Sequence, residues 1–257
     1  MRTGNREKPY EKRSSLAEIS KEAHALVESG AREIILTGIN LGAWGKLSPL
    51  INELSKINNL FRIRLSSIEP QYVSDELIRT IANNPKVCHH LHIPLQSGDD
   101  KILKLMNRKY NVAEYAALID KIRNSVPDCG ITTDVITGFP GEGEKEFRNT
   151  VETIEKIGFS RLHVFTYSKR DLTAAAKMTG QVEVGIKKER YALLNGLRAK
   201  LMRTFAEKYI EKEVEILVER KGEGLTSNYI RVRFDDTNDS SGKLHRLILT
   251  EQNLIFN

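Results

Sequence analysis

The stretch Ile131–Glu142, ITTDVITGFPGE, decides the fold. Six apolar or β-branched residues surround one aspartate, Asp134, and the run ends abruptly in a loop where Gly138 and Gly141 bracket Phe139–Pro140. Glycines on either side of a proline specify a fixed loop geometry, because one residue type frees the backbone and the other restricts it. Four more short apolar runs end in polar or glycine-bearing motifs: EIILTGIN at 33–40, RIRLSSIEP at 62–70, LHIPLQSG at 91–98 and RLHVFTYSKR at 161–170. In a parallel α/β barrel the reactive face is built from the C-terminal ends of the strands, so polar motifs recurring there read as a site.

Helical patterns separate the runs. Ser14 or Ser15 can cap a helix from Leu16 to Glu28, with Leu16, Ile19, Ala23, Leu26 and Val27 on one face. Further helices are expected over Leu50–Ile57, from Ser74 to Ala82, over Asp99–Met106 and Val112–Ser125, and over Glu144–Ile157 with Gly158 as its stop. Strand–helix alternation implies parallel strands joined by helical crossovers. It stops near Tyr167. A charged helix follows over Gly185–Lys212, and then short alternating runs, VEILVE, NYIRVRF and LHRLILT, separated by turn-rich KGEG and DDTNDSSG. The expected organisation is a polar lead-in over 1–14, a partial barrel with its linking helix over 15–211, and a small antiparallel β module over 212–257.

The chain has 257 residues, 40% of them hydrophobic and 29% charged, which suits a globular protein with an adequate core. No apolar run approaches the ~20 residues needed to cross a bilayer, and the polar start carries no signal-peptide core. No membrane association and a cytoplasmic location are expected. The two cysteines, Cys88 and Cys129, form no disulfide framework and suit a reducing compartment. The net charge of +6 is compatible with a polyanionic partner, although the charges alternate in sign along most helices.

Each motif has a plain reading beside a functional one. Gly38 and Asn40 make either a strand-to-loop turn or a close approach to a ligand. Ser66 and Glu69 place a hydroxyl and a carboxylate at the next strand end, and Glu69 is held extended by Pro70. Gln96 and Ser97 group an amide and a hydroxyl beside Gly98, suited to a polar cofactor. His89, His90 and His92 lack the spacing of a metal motif and read as hydrogen-bonded strand histidines, so no metal site is expected. Arg108 is either a carboxylate clamp or a solvated helix-end cation. Asn228, Tyr229, Arg231 and Arg233 suit RNA phosphate and base contacts, or an ordinary solvated strand face.

Taken in order, LTGINLG, RIRLSSIEP, HLHIPLQSG, MNRKY, TTDVITGFPGE and LHVFTYSKR resemble the radical S-adenosylmethionine methylthiotransferases, most closely the threonylcarbamoyladenosine-tRNA (MtaB-type) branch. The resemblance runs from about Ser14 to the C-terminus. It implies an α/β fold: a partial (β/α) radical-SAM barrel, here lacking its first strand, followed by a TRAM-like β-barrel module that grips RNA. It implies S-adenosylmethionine as cofactor, with Gly38, Asn40, Ser66, Glu69, Gln96, Ser97, Arg108 and Gly138 as contact candidates. It implies tRNA as partner and addition of a methylthio group to carbon two of the modified adenosine beside the anticodon. Family members hold 4Fe–4S clusters on cysteines, one set in a CxxxCxxC; this chain has no such motif, and Cys88 and Cys129 lie in other segments. Clusters need thiolates, so the chain is expected to be inactive alone: either it is completed by a separately encoded N-terminal half, or it is a non-catalytic RNA-binding remnant. The family's proline-rich loop is replaced by RDLTAAAKM at 170–178.

Overall fold

A computed structural model describes residues 15–236 and 239–256; the lead-in expected over 1–14 lies outside the described residues. Ser15 starts α1 (Leu16–Glu28) with a reciprocal cap: its hydroxyl accepts the Glu18 amide at 3.2 Å and the Glu18 carboxylate accepts the Ser15 amide at 2.7 Å. There follow β1 (Glu33–Leu36), α2 (Leu47–Leu54), β2 (Arg62–Leu65), α3 (Asp75–Asn83), β3 (His90–His92), α4 (Asp100–Leu105), α5 (Val112–Ser125), β4 (Gly130–Thr137), α6 (Glu144–Ile157) and β5 (Arg161–Thr166). Helix α2 begins before the expected Leu50 because Pro49 lies in its first turn, where a missing amide costs nothing.

All five strands run parallel. β1 pairs with β2, and β3 with β4 and β4 with β5. The bridges Ile63↔Val87 and Ser67↔His92, and the Ile68 amide on the His92 carbonyl at 3.0 Å, join the two sets into one arc. Alternation sends Ile34, Leu36, Ile63, Leu65, Ile131 and Val135 outward into a core shared with the helices. Burial of each such side chain contributes about 1.5–3 kcal/mol. The opposite residues, Glu33, Arg62, Arg64, His90, His92, Thr132, Asp134 and His163, face into the arc.

Helix α7 (Val184–Glu207) packs on β5 and leads to an antiparallel sheet of order β8-β7-β6-β9: β6 (Glu213–Arg220), β7 (Glu223–Thr226), β8 (Arg231–Arg233) and β9 (Leu244–Ile248). Two expectations are corrected here. The helix ends at Glu207 instead of Lys212, and KGEG is only half a turn, since Glu223 and Gly224 open β7. Gly224 belongs in the strand because a Cβ there would lie 2.8 Å from the Leu217 carbonyl oxygen. The tail returns to the far edge, where the Ile255 amide meets the Arg231 carbonyl at 3.1 Å and Leu254 bridges Val232. A second apolar core, including Tyr209, Ile216, Val218, Val232 and Leu249, lies inside this sheet. Among the described residues, no helix is long and apolar enough to cross a membrane.

The module closes the N-terminal end of the arc. Arg62 donates to the carbonyls of Leu225 at 2.6 Å and Glu215 at 2.9 Å. Arg64 donates to those of Ser227 at 3.2 Å and Thr226 at 3.3 Å, and binds the Glu33 carboxylate at 2.7 Å. Tyr229, at φ 76°, stacks on His90 with ring centroids 4.2 Å apart. At Gly130 a Cβ would lie 2.2 Å from the Asn228 carbonyl oxygen, so only glycine admits this contact. Breaking a buried ion pair by removing one partner costs about 3–5 kcal/mol. Arg64→Met, which strands Glu33 and two carbonyls, is therefore expected to lower unfolding stability by about 3 kcal/mol and to separate module and barrel transitions in denaturant; a loss below ~1 kcal/mol would show that the two parts hold together without it.

Candidate functional site at the strand ends

The opposite, C-terminal ends of the strands carry the motifs. Glu69 leaves β2 in extended backbone ahead of Pro70. Arg108 follows α4 after a left-handed turn at Asn107, φ 57°. Their side chains meet: Arg108 Nη1 lies 3.3 Å from Glu69 Oε1, and the second Glu69 oxygen accepts from Gln71 at 2.6 Å. The pair remains partly open to solvent, and Arg108 Nε is buried without a hydrogen-bond partner.

The other candidates differ in what holds them. Gln96 is buried at φ 67°; its main-chain N–H donates to the Asp134 main-chain carbonyl at 2.8 Å and its main-chain carbonyl accepts the Ile136 N–H at 2.9 Å. It thus stitches the β3 loop to β4. Ser97 is fully buried, its hydroxyl 3.3 Å from that of Thr150 and accepting the Asp99 amide at 3.3 Å, which seats the start of α4 against α6. Ser66 is half-buried, with its amide on the Leu36 carbonyl. Gly38 and Asn40 are exposed, and Asn40 accepts the Ala43 amide at 3.3 Å. A Cβ on Gly38 would make only ordinary contacts, so no packing demand explains the glycine.

Gly138 is required where it stands. It has φ 75°, and a Cβ would lie 2.4 Å from Lys187 Cγ. Its amide donates to Glu142 Oε1 at 2.8 Å, and Arg190 of α7 holds the same oxygen at 2.7 Å. Burial pushes the Glu142 carboxyl up from its ordinary range, while the Gly138 amide and Arg190 pull it down. Sequence reading missed Arg190, since nothing local marks a helix residue 48 positions on as the partner of the GFPGE loop. In RDLTAAAKM, Thr173 caps a short 3₁₀ turn at Ala174–Lys177, and Leu172 is fully exposed.

A polar network runs along the inner face: His90 and His92 are hydrogen-bonded strand histidines, and only their cross-strand partners were missed. Asp134 Oδ1 lies 3.2 Å from His92 Nε2 and 4.0 Å from His163 Nδ1. His92 Nδ1 and His90 Nε2 both reach the Thr132 hydroxyl, at 2.9 and 3.0 Å. An ionised carboxylate only accepts, so His92 Nε2 donates to Asp134. With neutral rings, Thr132 then donates to His92 and accepts from His90, which leaves His90 Nδ1 as the bare acceptor; that atom is buried and unpartnered. Burial first, then Arg64, holds His90 well below its ordinary pKa. Burial and the neighbouring His92 lower that of His163. The strand register puts Phe165 opposite Ile136, two residues beyond the Asp134 and His163 pair, and Phe165 is half exposed. The inner face therefore passes from arginines at the module end, through imidazoles and a carboxylate, to an apolar mouth. Among the described residues, no three His, Cys, Asp or Glu side chains are placed to hold a metal.

Residues 2–154 match the family model described as the Radical SAM superfamily. The chain belongs to that superfamily. It is 38% identical to the threonylcarbamoyladenosine tRNA methylthiotransferase MtaB of Bacillus subtilis, over 93% of this chain and 57% of that protein. The MtaB of Thermotoga maritima is 42% identical, over 80% and 49%. The tRNA-2-methylthio-N6-dimethylallyladenosine synthase of Acetivibrio thermocellus is 41% identical, over 81% and 45%. The chain thus spans about half the length of the curated relatives it matches. Among solved structures, coproporphyrinogen III oxidase (HemN) from Escherichia coli, a radical SAM enzyme, superposes with a TM-score of 0.51 at 17% identity, over 72% of this chain and 45% of that one. The radical S-adenosylmethionine methyltransferase TsrM from Kitasatospora setae gives 0.51 at 15%, over 60% and 31%. These two share the fold.

The superfamily uses S-adenosylmethionine and a 4Fe–4S cluster. The residues present fit one and not the other. Glu69 and Arg108 offer a carboxylate and a guanidinium side by side, the donor set for the ammonium and carboxylate of an amino acid. The thiols do not fit a cluster. Cys88 and Cys129 are each buried singly, and burial pushes both up to about 12. A thiolate is the reactive and ligating form. Neither cysteine is therefore expected to react with an aromatic disulfide reagent at mildly alkaline pH in the folded chain, while both react in denaturant, and iron and sulfide should yield no stoichiometric cluster. Rapid titration of a thiol in the native protein would contradict this.

Proposed function

We propose that this chain provides the S-adenosylmethionine-binding barrel and the RNA-docking module of a radical tRNA methylthiotransferase. The observation that carries the reading is the Glu69–Arg108 pair at the strand ends of a radical-SAM arc. The substrate is the N6-modified adenosine beside the anticodon, receiving a methylthio group at carbon two. SSIEP and GINLG favour threonylcarbamoyladenosine over the isopentenylated nucleoside, although relatives of both kinds lie at similar identity.

The residues divide the work. Glu69 and Arg108 separate to take the ammonium and carboxylate of the cofactor. Gln96 and the Gly138–Glu142 clip fix the loops that face it. Bound to a reduced cluster, the cofactor would supply a 5′-deoxyadenosyl radical. This chemistry belongs to the cofactor, and the protein orients and shields it. The thiolates come from outside these 257 residues. Residues 212–257 act as a TRAM-like module on the tRNA, residues 15–211 as the barrel, and unpaired cysteines suit work in the cytoplasm. A second reading, an RNA-binding protein without catalysis, is favoured by the two inert thiols alone.

Cofactor binding separates the readings without needing turnover. Hydrogen bonds to charged groups contribute about 1.5–3 kcal/mol each. Equilibrium dialysis with labelled S-adenosylmethionine is expected to show binding by the full chain, weakened at least ~10-fold by Arg108→Ala or Glu69→Gln and partly restored by Arg108→Lys. Binding unaffected by both changes would remove the cofactor from this pair, and no binding at all would favour the second reading.

A further inference from the structure

The middle of the arc's inner face holds a carboxylate with little to neutralise it. Asp134 lies 3.2 Å from His92 Nε2 and 4.0 Å from His163 Nδ1, and the second distance is beyond hydrogen-bond reach. A carboxylate offers about four acceptor sites, so most of its capacity is unused. Neither neighbour is a fixed cation, in contrast to Glu33, which Arg64 holds at 2.7 Å. Burial, then His92, lowers the pKa of His163, so that ring is neutral at neutral pH, and its Nε2 is buried without a hydrogen-bond partner. The Asp134 side chain is still 25% exposed, so the lumen is open to it. Toward the strand ends the face turns apolar. Asp134 stands opposite His163, and Ile136 stands opposite Phe165 two residues on. At about 3.3 Å per residue the second pair lies about 7 Å nearer the mouth, and Phe165 is half exposed there.

A free ammonium would use the carboxylate and leave the ring idle, and an alkyl chain would do the reverse. A planar base with an N–H on its edge uses both. Enzymes that act on a base take it out of its stack, read its edge by hydrogen bonds and hold its face against aromatic or apolar side chains. We propose that Asp134 is the specificity-determining acceptor for the substrate base: it takes the one N–H left on the exocyclic nitrogen of an N6-monosubstituted adenosine, while the base lies against Phe165. This rests on the tRNA reading above and names the residue that reads the nucleoside. The contact is common to the threonylcarbamoyl and isopentenyl nucleosides, since each keeps a single N–H there, and it excludes an adenosine substituted twice. Glu69 follows β2, and Phe165 lies near the end of β5, three strands round the arc. At about 4.8 Å per strand the two are roughly 14 Å apart, so an amino-acid group held by Glu69 and Arg108 leaves the ring free. The module's residues do not compete for the base. Asn228 is buried with its side-chain carbonyl 2.6 Å from the Thr226 hydroxyl, and Tyr229 is stacked on His90. Arg231 is held by Glu219 at 2.9 Å, and Arg233 lies 3.7 Å from Glu223. Each of the four residues expected to touch RNA is thus engaged within the chain.

The test is fluorescence anisotropy of two labelled RNA hairpins titrated with the full chain. The loop of one carries N6-isopentenyladenosine, and that of the other carries the same nucleoside with a methyl group in place of its last N6 hydrogen. Because a hydrogen bond to a charged group is a strong one, wild type is expected to bind the first hairpin about 10-fold more tightly than the second. Asp134→Val suits a strand and cannot accept, so it should bring both hairpins to the weaker level. Asp134→Asn keeps one acceptor oxygen without the charge. It should lower the ratio to a few-fold, and it carries the test should the valine variant fail to fold. Phe165→Ala, at an exposed position, should weaken both hairpins several-fold through the lost stack and leave their ratio intact. A ratio still at about 10-fold in either Asp134 variant means that the added methyl merely clashes, and it overturns the assignment. So does a wild type that binds both hairpins alike. Either result leaves the tRNA reading standing, because the hairpins still bind. No binding of either hairpin at low salt would overturn both.

Discussion

Four backbone carbonyls of the C-terminal module, those of Glu215, Leu225, Thr226 and Ser227, converge on two guanidinium groups that β2 sends into the arc. A parallel arc cannot fill its inner face with apolar side chains unless something covers the open end. This one instead presents Arg62 and Arg64, whose burial would be prohibitive without partners. The module supplies them from its main chain, where acceptors are already fixed in a sheet and cost little further ordering. Glu33 adds a counter-charge on Arg64 at 2.7 Å. With that end closed, the strand C-terminal ends remain open for chemistry, which is where the glycine-bearing loops stand.

The closure also sets the polar gradient on the inner face. Tyr229 reaches the lumen only because Gly130 lets the module backbone come close, and it stacks on His90. His90 is thereby dry and neutral, so Thr132 can serve both it and His92 with a single hydroxyl. The chain of hydrogen bonds ends on Asp134, the first group in the series with substantial access to water. The orientation of the lumen carboxylate is thus tied, through ring nitrogens and one threonine, to how the module seats.

The arc was legible in the sequence because its signals are local: β-branched runs, caps and glycine stops within a few residues of each element, as at Ser15, Ser74 and Gly158. β7 was hidden because EGLT is short and its glycine reads as a turn; its reason to be a strand is the Leu217 carbonyl of its neighbour, visible only once the two are paired. The strand-end pair was half legible. Arg108 carried an equally good solvated reading, a loop carboxylate such as Glu69 is usually solvated, and the 39 positions between them conceal the contact. Asp134 stood out inside an apolar strand, but its partners lie on β3 and β5, and lateral register between parallel strands leaves no mark in sequence spacing.

Charge shows the same limit from the other side. A net +6 spread over mixed-sign helices gave little direction, because position, not sum, decides whether cations cooperate. Several surface arginines here have acids within reach, as Arg246 has Glu213 and Glu215 and Arg220 has Glu223. Such pairs contribute little and attract little. Arg161 stands at a junction set by the topology. β5 is the last strand of the arc, so its first residue faces the module and α7 where an inner strand would face another strand. From those two elements come Arg198 and Arg231, the latter itself held by Glu219 at 2.9 Å. The geometry that seals the barrel's N-terminal end therefore also brings arginines from three elements together beside it.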